Sequence, residues 1–514
     1  MKPTNQLFDL IKSLTPEEEK KFKLLSSLQQ GDKNYIKLYN YIQKLELYDE
    51  ENVKQYFKNE IFVQHFASEK NQLLHHILKS LRWHRQETSA SAKIDEEIKN
   101  IQLLFNKSLY KQSRKQLSII KKMAVDYELF YSLLEIVELE KVLIDMEAHF
   151  GDINYKTIDE LIEEENGVFN KIENYAAYEV QLSKLNTLSS KVMIARSKED
   201  VDEITAIVKE TKQLSSKSGF LSHKSKFIYL FTIGLGNRLL SEVEEMNKCF
   251  SDLIIEMENK PQIISEMPNY YIFAHGYLVR YCAIKKQYND GFKVIDKLKS
   301  LSLNEMFKAT DLQISIFTQS YITEMLLYAY IGQYDKAKNI IPNVIKGLDK
   351  YETKINNEDL VRTYHTISLV YFGVGEYNKS LHWLNKIINT NYDDLRQDTI
   401  RIAKLINLIV HFELGNDDLL SYIYKSSVRF FNQQEKQYKF EAVFLDYFKK
   451  IALSKRDSKQ KETYVKFKDE LIKVFKDKYE KNALEFFNFY AWLDSKIHNI
   501  SFAEAIQIRK QNVM

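Results

Sequence analysis

Apolar residues recur three and four positions apart along most of the chain, with Lys, Glu, Asn and Gln between them. The segment 69–86 shows the pattern well, with Leu73, Leu74, Ile77, Leu78 and Leu81 on one side of a helix. This spacing is typical of an amphipathic α-helix, whereas strands alternate apolar and polar residues with a period of two. Alternating stretches are not evident, so the pattern predicts an all-α protein.

The first predicted helices are short and carry clear starting signals. Thr15 can cap a helix, Pro16 occupies the first helical position and Glu18 completes a capping box. After the third strong helix, 69–86, a polar stretch of small residues runs from 87 to 93. We therefore predict an N-terminal helical module over residues 1–90 and a second domain over 91–514.

The second domain reads as a series of helix pairs. Helices are predicted to meet at residues 106–112, and Ser197 is expected to cap a helix after a break near 195–200. A further break is expected at Gly234–Asn237, and helices over about 480–511 are expected to cap the end of the array, where Ser501 and Glu504 form a second capping box.

One helix-pair motif recurs downstream. Each copy has an aromatic-rich helix end, a turn, a Tyr and a small residue three positions later. The tyrosines follow each other after 46 and 43 residues, and a looser copy has Gly415 forty residues after Gly375. A repeat of 40 to 50 residues containing two helices indicates stacked supersecondary units. The copies carry Tyr288 and Gly291, then Gly332, Tyr334 and Ala337, then Gly375, Tyr377 and Ser380.

Each of these positions has a physical role. Glycine favours the left-handed cap that ends the first helix, because it has no Cβ. The tyrosine packs the turn against its neighbour, and the small residue lets two helices approach closely. We therefore interpret Gly332, Tyr334, Ala337, Gly375, Tyr377 and Ser380 as structural residues.

This pattern resembles the tetratricopeptide repeat (TPR) family. The resemblance is clearest over about 270–430 and fainter over 95–500, and the units are longer than the usual 34 residues of that family. It implies a right-handed superhelical solenoid of antiparallel helix hairpins. It also implies a protein–protein or peptide interaction scaffold, in which the first helices line a concave groove.

Composition supports the helical prediction and adds little about chemistry. The 514 residues include only 13 Gly and 5 Pro, fewer than folds with many tight turns require. The net charge of +3 is too balanced to indicate a nucleic-acid or membrane protein by itself. Cys249 and Cys282 have no CxxC partner, so we expect buried reduced thiols. With no apparent signal peptide or membrane-length apolar segment, a cytoplasmic location is expected.

Motifs of catalysis are not found. The stretches 234–239 and 373–378 each carry two glycines, but neither has a third glycine or follows a strand pattern. His75 and His76 are adjacent on one helix and point about 100° apart, which suits a shared metal ion poorly. We expect no metal, no cofactor and no enzymatic activity.

Local clusters of basic residues leave a nucleic-acid function open. Residues 99–122 contain seven basic residues and no acid, and 425–481 is also rich in Lys and Arg. These stretches either pair with acidic helices of the same chain or bind RNA, the ribosome or an acidic partner. The candidate contacts are Lys79, Arg82, Arg85, Lys111, Arg114, Lys115, Lys121 and Lys122.

A binding scaffold is the function that the resemblance favours. Some family members hold a C-terminal carboxylate with Asn and Lys or Arg, but the comparable positions here lack that set. They are Ile322, Thr323, Leu326, His365, Thr366 and Leu369, our candidate partner contacts. The alternatives are a signal- or peptide-responsive regulator of the Rap type and the RNA- or ribosome-associated protein. No compact helix-turn-helix is evident in the first 90 residues.

Overall fold

A computed structural model describes most of the chain, and every regular element in the part it describes is helical. None of these helices combines the length and apolar character that crossing a bilayer requires. The described residues are 5–27, 34–86, 89–148, 158–351, 354–389, 396–434, 436–453 and 458–511.

The chain divides into two compact units, Met1–Val168 and Phe169–Met514, which we call the N-terminal and C-terminal units. The division falls at residue 168, whereas the predicted boundary is near residue 90. The N-terminal unit holds α1 (Gln6–Ser13), α2 (Pro16–Ser27), α3 (Asn34–Ile42), α4 (Glu50–Tyr56), a 3₁₀ helix (Ile61–His65), α5 (Phe66–Gln86), α6 (Ala90–Asn106), α7 (Tyr110–Asp126) and α8 (Phe130–Ala148). Helix α9 (Ile158–Lys191) begins in this unit and ends in the next.

Local capping explains several helix starts in both units. The Thr15 amide donates to the Glu18 carboxylate at 2.7 Å, and the Glu18 amide donates to the Thr15 hydroxyl at 3.3 Å, which is a capping box. Ser197 accepts from the Asp200 amide at 3.1 Å, as the sequence predicts.

The C-terminal unit continues the series of helices without a strand among its described residues. Its elements are α10 (Lys198–Ser218), α11 (His223–Leu239), α12 (Val243–Glu258), α13 (Pro261–Ile264), α14 (Pro268–Ile284), α15 (Tyr288–Leu301), a 3₁₀ helix (Glu305–Phe307), α16 (Thr310–Ile331), α17 (Tyr334–Tyr351), α18 (Asn357–Gly373), α19 (Tyr377–Ile388), α20 (Gln397–Glu413), α21 (Asp417–Asn432), α22 (Lys439–Leu453), α23 (Ser458–Val474), α24 (Lys478–Lys481), a 3₁₀ helix (Asn482–Glu485), α25 (Phe489–His498) and α26 (Phe502–Gln511).

Consecutive helices pack as neighbouring pairs, and alternate helices also touch. Helices α14, α16, α18 and α20 each contact the next member of this set, and we call them the inner helices. Their pair partners α15, α17, α19 and α21 are the outer helices. The inner helix α20 is buried on nearly all sides, whereas the outer helix α21 buries a single stripe of Leu420, Ser427 and Phe431. The inner helices therefore form the centre of the hydrophobic core in this part of the C-terminal unit.

The turns between paired helices share one backbone conformation. Gly332, Gly375 and Gly415 have φ angles of 79°, 76° and 69°, in the left-handed region that glycine favours. Tyr334 and Tyr377 then begin the outer helices α17 and α19. These are the positions at which the sequence analysis expects a left-handed cap and a turn-packing tyrosine.

The predicted break at Gly234–Asn237 is wrong, because α11 runs without interruption through Leu239. Both glycines serve close helix contacts instead. A Cβ on Gly234 would lie 2.9 Å from the Phe250 ring, and one on Gly236 would lie 2.4 Å from Val208. Glycine inside a helix costs roughly 1 kcal/mol relative to alanine, and the close packing of α10 and α12 against α11 offsets that cost.

We define residues 478–511 as the C-terminal segment. It follows α23 in the chain and packs against the inner helices. Phe487 and Phe502 pack edge-on against Phe372 of α18, with ring centroids 5.1 and 5.0 Å away. The Trp492 indole N–H donates to Glu413 at the end of α20 at 2.8 Å. This segment is therefore part of the core of the unit that it completes.

Candidate functional site

The six predicted partner contacts lie on the inner helices α16 and α18, but they are less exposed than expected. Ile322 and Thr366 are buried, and His365 is only 7% exposed. The His365 ring faces the Phe486 ring at 6.3 Å, edge to face. Thr323, Leu326 and Leu369 are half-buried. The partner role of these six residues stays a prediction.

The C-terminal segment also contacts the inner helices at other positions. The Glu485 carboxylate accepts from Arg280 of α14 at 2.9 Å and from the Tyr330 hydroxyl of α16 at 3.3 Å. The Gln507 side chain donates to the Gly332 carbonyl at 3.0 Å. The protein's own chain thus occupies part of the surface that a partner of the inner helices would use.

The predicted basic contacts lie on two helices of the N-terminal unit, α5 and α7. Lys79 and Arg82 are exposed on α5, while the side chain of Arg85 lies outside the described residues. Lys121 pairs with Glu140 and, at 2.8 Å, with Glu164. At that position the basic stretch pairs with acidic helices of the same chain. On α7, Lys111, Lys115 and Lys122 are exposed and Arg114 is half-buried.

A cavity of about 130 Å³ lies within the C-terminal unit, where α11 meets the inner helices α14, α16 and α18. By the same measure about 10–15 Å³ suffices for one water molecule, so the cavity has room for a small ligand. Three arginines border it: Arg238 near the end of α11, Arg362 on α18 and Arg396 just before α20. We call this space the arginine cavity.

Two carboxylates on the first turn of α18 pair with two of these arginines. Glu358 forms an ion pair with Arg396, and Asp359 pairs with Arg362 at 2.9 Å. Arg238 forms no ion pair with any residue that the structure describes, although its guanidinium lies 5.7 Å from the centre of the Tyr277 ring. The cavity therefore has one positive charge more than its carboxylates neutralise.

The electrostatic setting of Arg238 is unusual for an arginine. Burial lowers the pKa of its guanidinium to about 10, Tyr277 opposes the shift, and the like charges of Arg280, Arg396 and Arg362 add to it. An arginine near a helix C-terminus complements the helix dipole, but that effect is usually below about 1 kcal/mol. The dipole does not supply the counter-charge that a cation partly removed from water requires.

Backbone geometry places Arg396 at the cavity. Its φ of 50° is left-handed, and its amide donates to the Ser190 carbonyl at 3.1 Å. Its side chain is buried, which lowers the guanidinium pKa, while nearby Asp398 opposes the shift. A non-glycine residue in this conformation is strained, and such strain is often found at functional positions.

The remaining walls are polar and aromatic. Gln319 of α16 lies over Gly276 of α14, and a Cβ at Gly276 would approach the Gln319 side-chain oxygen to 2.7 Å. Tyr277 borders the cavity and stacks on Phe250, with ring centroids 4.4 Å apart. Gly276 thus makes room for an amide that can donate or accept inside the cavity.

Other chemistry-bearing groups are isolated. Both cysteines are buried, and burial raises the pKa of the Cys249 thiol to about 11, which disfavours the thiolate. In the part of the chain that the structure describes, no three His, Cys, Asp or Glu side chains come together as a metal site.

Comparison of the chain with protein-family models, with curated proteins and with solved structures gives no match.

The arginine cavity was not predictable from the sequence, because its residues come from distant parts of the chain. Arg362 follows Asp359 by three residues, and a local ion pair on the helix surface is sufficient reason for an arginine at that position. Arg238 ends a helix, where a basic residue is ordinary. The only hint in the sequence was that Arg238 and Arg362 lie on predicted helices whose other residues are mostly apolar.

Proposed function

We propose that the C-terminal unit is a TPR-like superhelical solenoid of antiparallel helix hairpins that acts as a non-enzymatic scaffold for a protein or peptide partner. The observation that carries the proposal is the arginine cavity, an open and polar place among helices that are otherwise packed together. The sequential contacts of α14, α16, α18 and α20 support the solenoid, since stacked repeats contact their neighbours in this way.

Binding suits the cavity better than catalysis does. Its two carboxylates, Glu358 and Asp359, are both held by arginines, so neither is free to act as a general base. Of the neutral groups at its border, Gln319 and Asn356 are hydrogen-bonding amides, and the Ser189 hydroxyl donates to the Asn186 carbonyl at 3.0 Å.

The partner is expected to approach the inner helices near the cavity rather than near Phe486. His365 is buried and packs against Phe486 of the C-terminal segment, so a partner could reach it only if that segment moved. Phe273, by contrast, is half-buried and borders the cavity.

Site-specific photo-crosslinking tests the proposal. A photoreactive amino acid replaces Phe273 at the cavity or Asn343, an exposed residue of the outer helix α17, in the full chain expressed in its native host. We expect a discrete adduct from position 273, mapping to one segment of one protein, and no such adduct from position 343. The absence of an adduct at 273, or the same products from both positions, would contradict the scaffold function.

A further inference from the structure

We infer that the arginine cavity is a binding site for a small oxyanion, a phosphate or carboxylate group that contacts Arg238, Arg362 and Arg396. This inference goes beyond the scaffold function, since the site exists whether the anion is free in solution or belongs to a side chain of a partner. Both sources share one chemistry, because guanidinium groups bind carboxylate and phosphate oxygens through parallel N–H donors.

The charges around the cavity do not balance. Glu358 neutralises Arg396 and Asp359 neutralises Arg362, and nearby Arg280 is paired with Glu485. Arg238 alone among these has no carboxylate partner in the described residues. A cation partly removed from water among other cations is costly unless an anion joins it.

Two of the three arginines also have guanidinium donors that no described protein atom accepts from. The Nη1 atom of Arg396 and the Nε atom of Arg362 are buried and have no hydrogen-bond partner among the described protein atoms. The Arg396 residue as a whole is only 5% exposed. Buried donors are nearly always paired in folded proteins, so these two donors show that the ion pairs with Glu358 and Asp359 do not satisfy either guanidinium completely.

A second group of buried arginines, Arg196 and Arg401, shows how the protein itself neutralises such charges. The Arg196 guanidinium also lacks hydrogen bonds, but its central carbon lies 4.0 Å from the centre of the Tyr438 ring. Its Nη1 is 3.6 Å from the Glu441 carboxylate, which Arg401 also binds. An aromatic face and a carboxylate thus serve Arg196, and Arg238 has the weaker aromatic contact and no carboxylate.

The walls of the cavity are polar and aromatic. The Gln319 amide borders the cavity beside the three arginines and offers neutral hydrogen bonds, while the Asn356 side chain at the same border is bonded to Asp359. Tyr277 and Phe273 close the wall on α14. The cavity has room for a phosphate group, or for a carboxylate together with the carbon atoms that carry it.

A purely structural role for Arg238 makes the opposite prediction for one variant. If Arg238 stabilises the fold, Arg238→Met lowers the unfolding temperature without added ligand. If Arg238 is an anion contact, the same variant leaves that temperature unchanged or raises it, because an unneutralised charge is removed while the aliphatic stem is kept.

The test measures thermal unfolding and calorimetric binding of the full chain in a low-salt buffer free of phosphate and carboxylate. The probes are inorganic phosphate, succinate and a short peptide of alternating Asp and Gly, each compared with sodium chloride at the same ionic strength. We expect at least one probe to raise the unfolding temperature, with an affinity that R238M weakens roughly tenfold or more. The control R429M removes an exposed arginine of α21 and should change neither value.

The outcomes separate the sources of the anion. A response to phosphate or succinate identifies a free ion, and a response to the peptide alone places the carboxylate on a polypeptide. The inference is overturned if no probe exceeds the chloride control, or if R238M and R429M bind with the same affinity as the unmodified chain. Should R238M fail to fold, Arg238→Lys keeps the charge but loses the planar fork, and its unchanged affinity would equally overturn the site.

Discussion

Two copies of one helix pair, α16–α17 and α18–α19, place equivalent residues 43 positions apart in different surroundings. Gly332 and Gly375 have nearly the same φ angle, and Tyr334 and Tyr377 each begin an outer helix. Yet a Cβ on Gly332 would meet Gln507, the Ala503 carbonyl and Ile506, whereas one on Gly375 would meet nothing within 4 Å.

The C-terminal segment is the cause of this difference. Helix α26 lies over the turn at Gly332, and Phe502 packs against Tyr334 with ring centroids 5.8 Å apart. The exposed Gly375 has no such cover. The same local sequence therefore produces the same turn twice, while the energetic weight of each position depends on a segment more than 100 residues later in the chain.

The largest expected difference between the copies involves pH and His365, whose equivalent in the first copy is Ile322. Burial lowers the pKa of His365 to about 4, against about 6.5 in an unfolded chain. The unfolded state then binds the extra proton as pH falls below 6.5, so His365 makes the protein less stable between about pH 6.5 and pH 4. The loss is at most about 3 kcal/mol.

Replacing His365 by its counterpart, His365→Ile, should flatten this part of the stability curve. The measurement is the free energy of unfolding by urea at pH 7, 6, 5 and 4.5 for both chains. His275 is also buried, with its pKa lowered to about 4, and it remains in both proteins. The difference between the two curves therefore isolates His365, and parallel curves would show that it titrates normally.

A smaller difference is expected at the two glycines. Gly375→Ala should cost about 1 kcal/mol, because a Cβ is strained in the left-handed region and meets no neighbour. Gly332→Ala carries the same strain and also places its Cβ 3.2 Å from the Ala503 carbonyl, so α26 must shift. We expect about 2 kcal/mol there, measured as the loss in the free energy of unfolding.

Hydrogen exchange gives the control for this pair. In Gly332→Ala, amides of α26 should exchange faster, whereas in Gly375→Ala their exchange should match that of the unmodified protein. If both variants lost the same stability and exchange in α26 did not change, the packing of α26 over Gly332 would contribute nothing to the free energy of unfolding.

These pairs show what local sequence can and cannot predict. The second capping box was predictable because its partners are three residues apart: the Glu504 amide donates to the Ser501 hydroxyl at 3.1 Å. The turns at Gly332 and Gly375 follow from the lack of a Cβ. The inward packing of Glu485 and Gln507 was not predictable, since an amphipathic helix shows which face is buried but not what buries it.

The candidate site is harder to predict from the sequence than the turns and caps are. Arg238, Arg362 and Arg396 come together only because α11, α18 and the start of α20 are neighbours in the fold, and no local spacing reports that. Gly234 and Gly236 led to a wrong break for a related reason. In a single sequence, a glycine that permits close packing of helices looks the same as one that ends a helix.

The smallest expected effect tests whether the two copies are equivalent at their closest contact. The buried Ser380 hydroxyl donates to the Ser368 carbonyl of α18 at 2.9 Å, so Ser380→Ala should cost about 1 kcal/mol. Its counterpart is the buried Ala337, and the carbonyl equivalent to that of Ser368 belongs to Met325. If the copies share one geometry, Ala337→Ser gains the same acceptor, and the free energy of unfolding changes by less than about 0.5 kcal/mol. A loss of about 2 kcal/mol would reveal a buried hydroxyl without a partner, and the two helix pairs would then share their turns but not their packing.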